Sequence, residues 1–209
     1  MSDPKTIKDL ARGVYAQLGG KSGVDNYVWD KVERIIGNVN SICNLPEVQN
    51  YNFDMDDLVC AEYFSEAGSL REENNSSNKI SFSGVSVSAD IARENLEGVI
   101  DNKRLKKVCL IIEECANNIS NMPESMILSD ARNLEDMGAV GLFNQFRCNA
   151  FANKSVSDVL KSWKRKLDYM YWEARLKEGF NFESVQKIAN QRLGQAELFM
   201  EELKTEQLR

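Results

Sequence analysis

The sequence predicts an all-α protein, a multi-helix bundle with one short extended or hairpin element near residues 79–88. Three observations predict it. Apolar residues recur at alternating three- and four-residue steps through most of the chain. Caps and glycine stops punctuate those runs where helices begin and end. Only one stretch, Lys79 to Ser88, alternates with the two-residue period of a strand, and a lone hairpin is too little for a sheet domain.

Asp3 and Pro4 occupy cap and first-turn positions of a first helix, striped by Ile7, Leu10, Ala11, Val14, Tyr15 and Leu18 and stopped by Gly19-Gly20. Lys21-Ser22 follows like the end of a phosphate loop, but Tyr15 stands where the leading glycine should be and a helix precedes it, which argues against a Walker site. Val24 to Val39 forms a second helix with Val28, Trp29, Val32, Ile35, Ile36 and Val39 inward, ended by Asn44-Leu45-Pro46. A third runs from Asn52 to Phe64, and Asp54, Asp56 and Asp57 oppose the positive end of its dipole. These acids lack the glycine and distal glutamate of a calcium loop, so they predict a capped helix start. Gly68 to Asn78 is polar and reads as an exposed loop leading into the strand-like piece.

Asp90 to Met122 is the longest stretch with a helical period and predicts one central helix, with Leu105, Val108, Cys109, Ile112, Cys115, Ala116 and Ile119 along one side. Lys103, Arg104, Lys106 and Lys107 crowd one of its turns. After Met122-Pro123 a short helix is expected within Glu124 to Met137, then a tight link at Gly138-Ala139-Val140-Gly141. Leu142 to Phe151 is rich in aromatics and is placed in the core, where Arg147 needs a partner or an outlet to solvent. Ser155 with Asp158 forms a capping pair for a helix reaching about Lys177, lined by Val159, Trp163, Leu167, Met170, Tyr171 and Ala174. Lys161, Lys164, Arg165 and Lys166 form a second basic cluster on it. Gly179 ends that helix, and Phe182 to Leu203 gives the last one, with a charged tail. A soft boundary near Asn153 divides a core domain, 1–153, with an arm near 68–88, from a C-terminal helical hairpin, 154–209.

Charge and composition narrow the function. A net charge of −6 argues against a surface that binds nucleic acid or anionic membrane all over, while leaving room for a local basic groove. Histidine is absent, which removes the usual acid–base side chain near neutral pH and the commonest zinc ligand. The five cysteines are scattered, odd in number and mostly set among apolar neighbours, and no CxxC pair occurs. They predict buried free thiols in a reducing compartment. With no apolar signal region behind Met1 and no membrane-length apolar run, a cytoplasmic protein is expected. No GxSxG elbow is present, and Glu113 and Glu114 are adjacent and diverge, so neither a serine nor a two-acid hydrolase is indicated. The inventory therefore predicts no catalytic residue, no metal site and no cofactor.

The run Asn102-Lys103-Arg104-Leu105-Lys106-Lys107-Val108-Cys109, followed some thirty-odd residues later by a phenylalanine-rich segment, resembles the core of flexuous filamentous plant-virus coat proteins over about residues 102–151. In that family a helix with a basic residue shortly before a Val-Cys pair leads to an aromatic segment of Phe-Asp-Phe type. Lys106 would match the basic residue, and Phe143 and Phe146 the aromatic pair. Two departures stand out: lysine replaces the expected arginine at 106, and Asn144-Gln145 replaces the acidic residue between the phenylalanines. The resemblance implies a non-enzymatic, self-assembling α-helical subunit, a coat or nucleocapsid-type protein of a virion that polymerises around single-stranded RNA. Lys103, Arg104, Lys106, Lys107, Arg147, Lys164 and Arg165 are the candidate phosphate contacts, provided the central and penultimate helices pack together. The alternative is a soluble cytosolic helical adaptor that binds another protein.

Overall fold

A computed structural model describes residues 4–19, 24–73, 84–116 and 120–207. Lys21-Ser22 and Ile119 lie outside them. The helices are α1 (Pro4–Gly19), α2 (Val24–Cys43), α3 (Met55–Ser65), α4 (Ala67–Glu73), α5 (Gly84–Leu96), α6 (Asn102–Glu114), α7 (Pro123–Glu135), α8 (Gly138–Phe151), α9 (Val156–Asp168), α10 (Tyr171–Glu178) and α11 (Glu183–Gln207), with a 3-10 turn at Val48–Asn50. The protein is all-α, as its periodicity predicts. Among the described residues there is no strand, only an isolated bridge between Glu97 and Ile100. The expected extended element is corrected where it can be seen: residues 84–88 are the first turn of α5, and 79–83 lie outside the described residues.

The chain divides into two compact units, 1–131 and 132–209. In the first, α3 is the element on which the rest is built. Asp57, Leu58 and everything from Cys60 to Ser65 are buried, so this helix is enclosed on nearly all sides, and α1, α2, α5 and α6 all pack on it. The corner after α3 is fixed by Ser88, whose hydroxyl donates to the Ser65 carbonyl at 2.8 Å and accepts from the Gly68 amide at 2.9 Å. Lys31 on α2 reaches the same corner, with its ammonium 2.8 Å from the Glu66 carboxylate. The exposed loop expected over 68–78 is therefore helical and inward-facing in its first part, with Gly68 and Leu70 buried.

The expected single helix from Asp90 to Met122 is two. Leu96 ends α5, its carbonyl accepting from the amides of Val99 and Ile100, and Gly98 takes φ +77°, a left-handed conformation that glycine adopts without a steric penalty. Asp101 then opens α6, its side chain accepting from the Lys103 and Arg104 amides, both at 3.0 Å. The apolar period survives because both helices press their stripes, Ile91 and Leu96, then Leu105, Val108 and Ile112, into one core.

In the second unit Gly138-Ala139-Val140-Gly141 is the first turn of α8, not a link. Gly141 is needed for close approach, since a Cβ there would sit 2.0 Å from the Asp136 carbonyl oxygen. The aromatic stretch on α8 is only partly core. Leu142 is buried, whereas Phe143 is 62% and Phe151 76% exposed. The helix expected from Ser155 to Lys177 begins with the predicted capping box but breaks at Met170, which holds φ +52°, so that α9 and α10 are separate. Val159 and Trp163 are buried as expected; Leu167, Met170, Tyr171 and Ala174 are exposed. Arg175 ties α10 back to the last turn of α7 and the residue after it, at 3.1 Å from Asn133 and 2.6 Å from Asp136. No helix among the described residues is long and apolar enough to cross a membrane.

Candidate functional site

Two helix starts meet in the first unit, and a cleft of about 740 Å³ opens beside them. Its lining comes from the beginning of α3 (Asp54, Asp56, Asp57), the turn before α6 (Val99, Ile100, Asp101) and the first turns of α6 (Lys103, Arg104, Lys107). Local sequence explains each wall. Asp54 caps α3, accepting from the Asp57 amide at 3.0 Å, which places Asp56 and Asp57 in the first turn, where the helix dipole favours carboxylates. Asp101 caps α6 in the same way and brings its three cations to the same cleft.

The floor is a buried charge network. Asp57 accepts from Arg104 Nε at 2.6 Å and from Lys107 Nζ at 3.0 Å. Lys107 also reaches Glu124 at 2.7 Å, and Glu124 accepts from the Asp54 amide at 2.9 Å. The carboxyl side chains are 8% (Asp57) and 5% (Glu124) exposed, and burying such groups is costly unless they are paired and hydrogen-bonded as here. Burial pushes the Glu124 carboxyl up, but the Lys107 ammonium and the Asp54 amide outweigh it and hold it below the usual range. Burial pulls Lys107 down, and its hydrogen bonds to Glu124 and Asp57 reverse that, leaving it raised. Arg104 follows the same balance, with Asp57 prevailing over desolvation. Above this floor Asp56 and Lys103 are exposed at the cleft edge.

The seven candidate phosphate contacts are therefore divided. Lys103, Arg104 and Lys107 share the cleft, and Lys106, exposed on the same helix, is not part of its lining. Arg147, Lys164 and Arg165 belong to the second unit; Lys164 and Arg165 are exposed on α9, and Arg147 lies over the Phe151 ring at 5.3 Å. Sequence reasoning read Asp54, Asp56 and Asp57 as helix caps and gave Glu124 no role. Their partners stand 47 residues away for Asp57–Arg104 and 70 for Asp54–Glu124, beyond any local signal.

Other chemistry is sparse. No group of three or more His, Cys, Asp or Glu able to hold a metal occurs among the described residues. The cysteines are free; Cys60, Cys109 and Cys115 are buried, Cys43 is partly so and Cys148 is exposed. Burial pushes the Cys43 thiol up to about 11 and that of Cys60 to about 12, so neither is a thiolate near neutral pH.

No family model matches the chain. No curated protein matches it in sequence. Among solved structures it is similar to the crystal structure of Bacillus subtilis YpgQ, with a TM-score of 0.66 and 16% identity over 97% of this chain and 96% of that one. The same protein in complex with ADP gives a TM-score of 0.66 and 18% identity over the same shares. At such identities the likeness shows a shared all-α fold spanning both chains. It overturns the expected coat or nucleocapsid function and, with it, the capsid, virion and RNA-binding assignments. The similar structures are not a clear match to the adaptor reading either.

Proposed function

We propose that the chain is a nucleotide-binding protein without catalytic turnover, taking a nucleoside diphosphate as its magnesium complex in the cleft between α3 and α6. The observation that carries this is the division of the cleft into a carboxylate wall from α3 and a cationic wall from α6, around a volume in the range that small-molecule sites use. A bare diphosphate would be repelled by Asp54, Asp56 and Asp101. A magnesium complex suits both walls, because Mg²⁺ is commonly held by one or two carboxylates together with the nucleotide's phosphates and several waters. Lys103 and Arg104 then meet phosphate oxygen, Asp56 meets the hydrated cation, and the apolar Val99 and Ile100 offer a surface to the base. The ADP complex of a protein of the same fold supports the ligand class.

Binding without turnover is supported by the residue inventory. The chain has no histidine, the thiols of Cys43 and Cys60 are held protonated, and the Glu124 carboxylate is occupied by Lys107 and the Asp54 amide. A reducing, cytoplasmic setting suits five cysteines that form no disulfide.

Thermal unfolding with ADP tests the reading. ADP with Mg²⁺ should raise Tm, as any ligand of the native state does, by about 2.7 kcal/mol of stabilisation at a concentration of about 100 Kd. ADP with a chelator and adenosine alone should give much smaller shifts, and no phosphate should be released. Equal shifts with and without Mg²⁺ contradict the two-wall account, and protein-dependent phosphate release contradicts binding without turnover.

A further inference from the structure

Eleven large hydrophobic residues are exposed among the described residues, and nine of them lie in 132–209. Within it α8 and α11 run side by side in the same direction. A Cβ on Gly138 would lie 3.0 Å from Arg192 Cβ, the Phe146 and Phe199 rings meet at 5.8 Å, and Gln207 hydrogen-bonds Ser157 just beyond the end of α8. Arg147 and Phe151 follow Phe143 by four and eight residues along one side of α8, with the Arg147 guanidinium over the Phe151 ring. Next to them comes the Phe146–Phe199 pair, and past Phe199, 50% exposed, come Leu198, 68% exposed, and Glu202, one turn further on.

The strip thus carries one cation, Arg147, on its α8 side and one carboxylate, Glu202, on its α11 side. We propose that it is the interface of a two-fold homodimer, in which the α8 face of one copy lies on the α11 face of the other. A two-fold axis through the strip carries each side onto its opposite, setting Arg147 against Glu202 of the second copy and ring against ring between them. The size also fits. Phe143, Phe151 and Phe199, exposed by 62%, 76% and 50%, leave about 400 Å² of ring surface open. A homodimer interface takes about 800 Å² from each partner, of which about 65% is apolar. Leu198 and the margins supply the remainder. This inference rests on the second unit alone and is independent of the nucleotide reading.

Light scattering on a sizing column, with circular dichroism to verify folding, decides it. The full chain should run at twice its 23.7 kDa mass, and F143E and F199E should run as folded monomers. R147E and E202R should each shift the equilibrium toward monomer, while the double variant R147E/E202R restores the dimer, a recovery that a merely structural role would not produce. Should F143E or F199E fail to fold, the charge series alone decides. A wild-type monomer at every concentration, a dimer that persists in the folded phenylalanine variants, or no recovery in the double variant overturns the proposal.

Discussion

Asp57 is almost fully enclosed and pairs with two cations, Arg104 and Lys107. Asp57→Asn keeps the shape but leaves Arg104 without a carboxylate at 16% exposure, while Lys107 retains Glu124. Removing one partner of a buried pair costs about 3–5 kcal/mol, and the third-exposed Lys107 discounts that to about 2–3 kcal/mol here. Urea unfolding should show the midpoint move with an unchanged slope; a loss under about 0.5 kcal/mol would mean the network contributes as little as a surface pair. The pH dependence has a definite sign. The folded Glu124 carboxyl is depressed below its usual value, so its contribution is fully present above the unfolded pKa of about 4.3 and is lost as pH falls from there through the folded value. A Tm profile should therefore fall below about pH 4.5, and less steeply in Glu124→Gln. Thiol titration gives an independent check of burial at this scale: Cys148 should react readily in the native protein, with Cys60, Cys109 and Cys115 reacting only on unfolding.

At the scale of elements, glycine positions decide where helices stop and how closely they approach. Gly141→Ala would drive a methyl group into the Asp136 carbonyl at 2.0 Å, so the turn joining α7 to α8 must shift. We expect a loss of about 1–3 kcal/mol, the range for overpacking, measured by thermal unfolding. Gly13→Ala, where a Cβ meets nothing within 4 Å, should instead be neutral or slightly stabilising. The same positions show what the sequence revealed. The start of α9 at Ser155 was legible, and that of α3, expected at Asn52 and found at Asp54, nearly so, because a cap is a local hydrogen bond whose donor lies two or three residues away. The break at Gly98 was not, because Leu96 and Leu105 continue one apolar stripe across it. The break at Met170 carries no sequence signal, since positive φ is uncommon for a methionine and no turn residue marks the position. Alternation over residues 84–88 suggested a strand, yet Ser88 and Ala89 are buried together on one side of α5, and packing against α4 and α6 overrode local propensity.

For the whole molecule, composition and periodicity sufficed for fold class but not for the site. Counting cations along α6 found Lys103, Arg104 and Lys107, but their meaning depends on carboxylates brought from α3 and the start of α7. Two of the three are engaged by Asp57 and Glu124, so a basic run in sequence becomes a mixed-charge cleft in the fold. That is why a run that looks like a basic groove in sequence is, in the fold, one wall of a cleft whose other wall is acidic. It also reconciles local cations with a chain whose net charge is −6.

Isothermal titration of magnesium–ADP into the wild-type protein and into Lys103→Glu and Asp56→Asn tests the central claim most directly. The account predicts wild-type binding with Kd under about 1 mM, worth at least about 4 kcal/mol, and a weakening of about tenfold or more in each variant, since each removes one wall's exposed charge. Absence of binding to the wild type, or undiminished binding in both variants, would contradict it.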